Sequence, residues 1–191
     1  MGESNTQLQT YEKKVPAVQE MGKKLPDAMS DAVCRKLIRV ACDYREKAYT
    51  PYSGFKVGAA LLTNSHEVIG GCNIENAAYT PTNCAERTAL FKAVSEGKRD
   101  FLAIAIVGGK GEDLEDFCAP CGVCRQVMTE FCDPKTFLII LARSEDDYMI
   151  YTLEELVEAL TAEYAVSEDE AARDTEAFLD QMRQLKMLVE E

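Results

Sequence analysis

What this sequence lacks already narrows what it can do. No stretch approaches the 18 or more consecutive apolar residues that a membrane-spanning helix needs, so a membrane partner is not expected. The first residues, MGESNTQLQTYEKK, contain no apolar core of the kind that directs secretion, and the expectation is a cytoplasmic protein. Positive charge is also scarce: 21 Lys and Arg stand against 33 Asp and Glu, a net charge of -12. Non-specific binding to a phosphate backbone depends on cations that neutralise phosphates. The lysine pairs in EKKVP and MGKKLP are too short to form a basic stripe, so nucleic acid is not an expected partner. A chain of 191 residues makes one domain, or one domain with an appendage. Its eight cysteines, without an export signal, read as free thiols or metal ligands before disulfides.

What is present falls into three parts. Residues 1–26 are polar and interrupted by Pro16 and Pro26, which reads as a flexible arm. Residues 27–166 alternate helical and strand patterns. A helix is predicted over 27–48, with Ser30 as N-cap and Val33, Leu37, Val40, Ala41, Tyr44 and Ala48 along its apolar face. FKVGAALLT and HEVIGGCNIE, joined at Asn64-Ser65, predict a hairpin whose first strand is buried on both faces. A helix over 84–95 follows, then FLAIAIVGG as a central strand, a helix over 122–131 and the buried strand TFLIILA. A last short strand leads into a helix opened by the capping box Thr152/Glu155. This alternation implies a layered α/β domain. Residues 167–191 carry a second cap pair, Ser167/Glu170, and an apolar seam through Phe178, Met182, Leu185 and Val189, which predicts an acidic amphipathic helix.

The chemistry sits in TNCAERTALFKAV and FCAPCGVCRQVM. By itself the pair Cys121/Cys124 could be a redox dithiol, half a zinc site or chance. Placed at a helix start, both thiols share a face and their thiolates gain from the free backbone N–H groups and the helix dipole. Cys84, at the start of another helix, can add a third sulfur. Three protein ligands leave the fourth position of a tetrahedral zinc open to water, although His66 or Cys118 could instead close it. Glu86, two residues past Cys84, can reach such a water and carry its proton; otherwise it is a solvated first-turn carboxylate. Cys-x-Glu followed by Pro-Cys-x-x-Cys is the zinc deaminase signature in its three-cysteine form. Three thiolates and one zinc sum to a negative charge, which Arg87 and Arg125 could drain by donating to the sulfurs. Arg125 could equally be a surface or subunit-contact residue. Asn73 and Glu75 project to the same side of an extended segment, a pair suited to a sugar diol or simply to capping a turn.

From AYTPYSGFKVGAALLT through GCNIENAAYTPTNCAERTALFKAVSEG and APCGVCRQVMTEF to YTLEEL, residues 48–156, the sequence resembles the small homotetrameric cytidine deaminases. The resemblance implies a three-layer α/β/α sandwich around a mixed sheet of about five strands. It implies hydrolytic deamination of cytidine and 2′-deoxycytidine in pyrimidine salvage, by a zinc-bound hydroxide and a glutamate proton shuttle. One zinc per subunit would be held by Cys84, Cys121 and Cys124, with Glu86 as the catalytic residue. Asn73 and Glu75 would hold the ribose, Phe55 would pack on the pyrimidine and the Ala85 backbone would meet the base edge. Tyr79 matches a residue that lines the site across a subunit boundary, so active sites at the interfaces of a homotetramer are expected. The likeness fails at the C-terminus, where VEALTAEYAV has Thr161 in place of the family's aromatic residue, with Tyr164 one helical turn further on.

Overall fold

The computed structural model describes residues 29–111, 114 and 116–163. The expected arm over 1–26, Tyr164 and the amphipathic helix over 167–191 lie outside the described residues. Helix α1 (Asp31–Arg45) precedes the hairpin of β1 (Lys56–Thr63) and β2 (Val68–Cys72). Helix α2 (Ala85–Ser95), β3 (Phe101–Gly109), α3 (Gly122–Phe131), β4 (Leu138–Ala142), β5 (Tyr148–Thr152) and α4 (Leu153–Glu163) follow. The five strands form one sheet in the order β2-β1-β3-β4-β5. Only β3 and β4 run parallel, joined by the crossover that contains α3; the other neighbours are antiparallel. This is the mixed sheet of an α/β sandwich, with β3 at its centre as its unbroken apolar run predicts.

Side-chain alternation sorts the two faces. Ala60, Leu62, Ala103, Ala105, Val107, Leu138, Ile140 and Ile150 share a core with Cys34, Leu37, Ile38 and Ala41 of α1. The α1 seam is therefore rotated from the sequence expectation. Cys34, Leu37, Ile38, Ala41 and Arg45 are its buried positions, while Val33 and Val40 are only partly covered. A cysteine and an arginine do not register in an apolar pattern, yet both are inside. Arg45 is accommodated because its guanidinium donates to the carbonyls of Gly109 and Gly111, tying α1 to the end of β3. Gly58 lets α1 lie close on β1: a Cβ there would come within 2.0 Å of the Ala41 carbonyl.

The hairpin turn is longer than Asn64-Ser65 alone. Thr63 N–H donates to the Glu67 carbonyl, and His66 takes the left-handed conformation at φ 63°, so β2 starts at Val68. The capping box at α4 forms in both directions: Glu155 N–H donates to Thr152 Oγ1 at 3.1 Å and Thr152 N–H to Glu155 Oε2 at 2.9 Å. Among the described residues no helix is long and apolar enough to cross a membrane.

Candidate metal and active centre

Parallel pairing puts the C-terminal ends of β3 and β4 at one edge of the sheet, beside the start of β1 and the end of β2. The first turns of α2 and α3 carry the thiols. Cys84 is the N-cap of α2 and Cys121 the N-cap of α3, both extended (φ/ψ -77°/156° and -64°/165°) and neither making a side-chain capping bond. Ser and Thr at such positions satisfy helix N–H groups; a thiol is a poor substitute, so these two are placed for something else.

The sulfurs of Cys84, Cys121 and Cys124 all lie within 4.8 Å of one another. Cys84 and Cys121 Sγ are 3.9 Å apart, Cys121 and Cys124 Sγ 3.5 Å. Thiolates ~2.3 Å from a tetrahedral zinc are separated by ~3.8 Å, so the donor set fits zinc in both chemistry and spacing. The two residues considered as a fourth ligand are not in this cluster. His66 is in the hairpin turn at the opposite end of β1. Cys118 packs on β3, where a Cβ at Gly108 would meet its Sγ at 2.7 Å, and burial pushes its thiol up to about 12. Among the described residues the cluster holds three ligands, which leaves one tetrahedral position for water.

Charge within the cluster is uneven. The hydrogen bond from the Cys124 thiol, then the Arg87 guanidinium, hold the Cys84 thiol down at about 5, while Cys124 moves upward. Arg87 Nη2 donates to Cys84 Sγ at 3.4 Å and to the Thr82 carbonyl at 3.1 Å. Arg125 sits on α3 with its guanidinium over Gly122; its backbone N–H donates to the Cys121 carbonyl and its carbonyl accepts from Thr129 Oγ1. Glu86, in the first turn of α2, is 4 % exposed. Burial pushes its carboxyl up to about 6, and the neighbouring Cys84 thiolate adds to the rise.

The remaining expected residues flank this centre. Asn73 Oδ1 accepts from Val57 N–H at 2.8 Å and its Nδ2 donates to the Phe55 carbonyl at 2.9 Å, so the amide ties the end of β2 to the start of β1. Glu75 Oε2 accepts from Tyr52 N–H at 2.9 Å, and Ser53 Oγ donates to Oε1. Ser53 and Tyr52 escaped the sequence reading; the signal available was the turn sequence PYSG, whose polar groups needed a partner. The Phe55 ring is partly exposed at 37 % and so is not a core aromatic. Ala85 is fully buried against β2. Tyr79 is 86 % exposed and holds φ 54°, an uncommon conformation for a bulky residue.

A three-cysteine cluster at two helix N-termini with a buried carboxylate beside it, on an α/β sheet, defines a zinc-binding deaminase, a hydrolase. The family described as the cytidine and deoxycytidylate deaminase zinc-binding region matches residues 32–140, and the chain belongs to it. A cytidine deaminase from Halalkalibacterium halodurans is 53% identical over 128 residues, covering 66% of this chain and 93% of that protein. One from Sporosarcina psychrophila is 57% identical over 98 residues, 51% of this chain and 69% of the relative. The crystal structure of cytidine deaminase from Burkholderia pseudomallei is similar with a TM-score of 0.58 at 50% identity, over 63% of this chain and 93% of that one. Residues 144–188 also match the family of coenzyme PQQ synthesis protein D, over β5, α4 and the chain beyond the described residues.

Proposed function

We propose that the protein hydrolyses cytidine and 2′-deoxycytidine to uridine and 2′-deoxyuridine, releasing ammonia, as a step of pyrimidine salvage in the cytoplasm. The carrying observation is the juxtaposition of three thiols within 4.8 Å with a carboxylate that is 4 % exposed. When bound by Cys84, Cys121 and Cys124, zinc supplies the Lewis acidity that brings a water's pKa toward neutrality. Glu86 is the proton carrier. Its raised pKa lets it take a proton from water, give it to N3 of the base and later carry one to the departing amino group. The water's oxygen replaces the amine nitrogen at C4, and the amine leaves as ammonia with the protons so delivered. Arg87 holds Cys84 Sγ and offsets thiolate charge.

The other side chains orient the nucleoside. Asn73 and Glu75 each retain hydrogen-bonding capacity beyond their bonds to the chain, an N–H and lone pairs on the amide and further lone pairs on the carboxylate. Both are read as ribose ligands, with the Phe55 ring against the pyrimidine and the Ala85 backbone at the base edge. Tyr79, exposed on a strained loop, is read as reaching the site of a neighbouring subunit in a homotetramer. The catalytic domain is taken as 27–166, with residues 1–26 and 167–191 as additions to it, the latter contributing stability or assembly and no chemistry.

Zinc-loaded protein incubated with cytidine or with 2′-deoxycytidine should show steady loss of the nucleoside's absorbance and equimolar ammonia. Protein with one zinc per chain that leaves both nucleosides intact overturns the reading. Turnover confined to a cytosine-nucleoside antibiotic or to cytosines in a polynucleotide replaces the substrate while keeping the chemistry. Light scattering at micromolar concentration should give about four chain masses; a fully active monomer removes the shared-site part.

A further inference from the structure

Adjacent glycines in β2 face opposite sides of the sheet, as the two-residue strand period requires. A Cβ added at Gly70 would meet the Tyr44 ring of α1 at 2.0–2.5 Å. A Cβ added at Gly71 would lie 2.5 Å from the Ala85 carbonyl oxygen, 2.5 Å from Ala89 N and 3.1 Å from Ala89 Cα. The two obstacles differ in kind. The Tyr44 ring is a half-buried side chain that can swing. The atoms over Gly71 are the backbone of α2, which moves only as a helix. Ala85 lies between Cys84 and Glu86, so the turn pressed onto Gly71 is the turn that carries a thiol and the carboxylate. Gly71 pairs with Ala59 of β1, and Ala59 with Ile106 of β3, so the contact is anchored to the strand that leads on to Cys121 and Cys124.

We infer that Gly71 is a positioning residue. The absence of a side chain there sets the height of the α2 N-terminus above the sheet, and hence the spacing of Cys84 and Glu86 from Cys121 and Cys124. The inference rests on the zinc reading above. Ordinary contact begins at 3.4 Å, so a methyl group at 71 displaces α2 by about 0.9 Å, and a misplacement near 1 Å costs on the order of 100-fold in rate. The atoms that meet a methyl at position 71 belong to α2, so Cys84 and Glu86 move with it and the 3.9 Å Cys84–Cys121 sulfur separation changes.

The test compares the unaltered chain, Gly70→Ala and Gly71→Ala, each loaded with cobalt(II) for spectroscopy and with zinc for kinetics. Gly70→Ala should melt earlier yet keep the thiolate-to-cobalt bands and kcat of the unaltered protein. Gly71→Ala should fold, shift and weaken those bands, and release zinc to a chelator about tenfold faster. Its kcat should fall about 100-fold, with KM little changed. A Gly71→Ala protein with unaltered bands, zinc release and kcat overturns the inference, as does a Gly70→Ala protein that shows the same loss of zinc. Should Gly71→Ala not fold, Ala89→Ser adds one heavy atom to the α2 residue whose N and Cα face position 71. A smaller band shift in the same direction supports the seat, and unchanged bands overturn it. Absence of thiolate-to-cobalt bands in the unaltered protein overturns the zinc reading itself, and this inference with it.

Discussion

Asp31 and Glu86 stand in nearly equivalent places, each an acid in the first turn of a helix whose N-cap has the same extended backbone. Their surroundings push them in opposite directions. Asp31 is exposed, accepts from the Tyr148 hydroxyl and pairs with Arg35 at 2.8 Å, and its pKa falls below the usual carboxylate value. Glu86 is enclosed, and burial raises it to about 6. The first arrangement ties α1 to β5 and wants a permanent anion. The second keeps a carboxyl poised to exchange a proton near neutral pH. A helix dipole favours an anion at both sites, so the dipole does not decide between them; cover does.

The largest expected effects break the enclosed site. Cys84→Ser removes one of three sulfurs, and bound zinc measured by metal analysis should drop from one per chain to near zero, with turnover lost. Retention of stoichiometric zinc would move the ligand role elsewhere. Glu86→Gln should keep zinc but lower kcat by about 10³-fold or more, since a positioned proton carrier contributes roughly 10²–10⁴. Loss of zinc in that variant would make Glu86 a ligand. The sign of its titration gives a second readout in zinc-stripped protein. A folded pKa above the ordinary 4.5 means that the fold disfavours the ionised form. Glu86→Gln should therefore raise apo stability at pH 8, with the gain shrinking as pH falls from about 6 through 4.5 and vanishing below it.

A smaller effect is expected where site and scaffold share a residue. Asn73→Ala removes the proposed sugar contact and leaves Val57 N–H and the Phe55 carbonyl without their partner. Each lost or unsatisfied bond is worth about 1–3 kcal/mol. The expected result is a KM for cytidine raised roughly 10- to 100-fold, together with a lower melting temperature. A lower melting temperature with KM unchanged would confine Asn73 to bracing the start of β1.

Much of this was legible in the sequence because the chemistry and the fold use the same punctuation. The strands FLAIAIVGG and LIILA are buried on both faces and read as such, and the proline and glycine of APCGVC mark the start of α3. The thiol cluster was legible because Cys84 with Glu86 two residues on, followed by the Cys121/Cys124 pair, is a spacing with a known zinc chemistry. The rest depends on contacts that have no local signal. The α1 seam includes Arg45, whose burial is set by carbonyls more than sixty residues away. Glu75 is held by Ser53 and Tyr52 across a turn. The surroundings of Gly70 and Gly71 differ in what lies above each, a tyrosine ring of α1 over one and the backbone of α2 over the other, which no single-residue property encodes.

The smallest effect belongs to the exposed acid and completes the contrast. A carboxylate whose folded pKa is depressed adds stability above its ordinary value of 3.8 and loses it as pH falls through the folded value. Asp31→Asn removes the charge that Tyr148 and Arg35 favour, so its melting temperature at pH 7 should lie slightly below that of the unaltered protein. The gap should close on acidification below pH 3.8, opposite in sign to the effect at Glu86. The effect stays modest because exposed ion pairs are weakened by solvent and salt, and added salt should narrow the gap further. Zinc content and turnover should not change, since the Asp31 carboxylate contacts α1 and β5 rather than the thiol cluster. Thermal melts of both proteins between pH 2 and 8, at low and high salt, measure this directly. A difference that persists unchanged below pH 3, or that widens there, would mean that Asp31 acts through packing or helix capping instead of charge. The two first-turn acids would then differ in more than their cover.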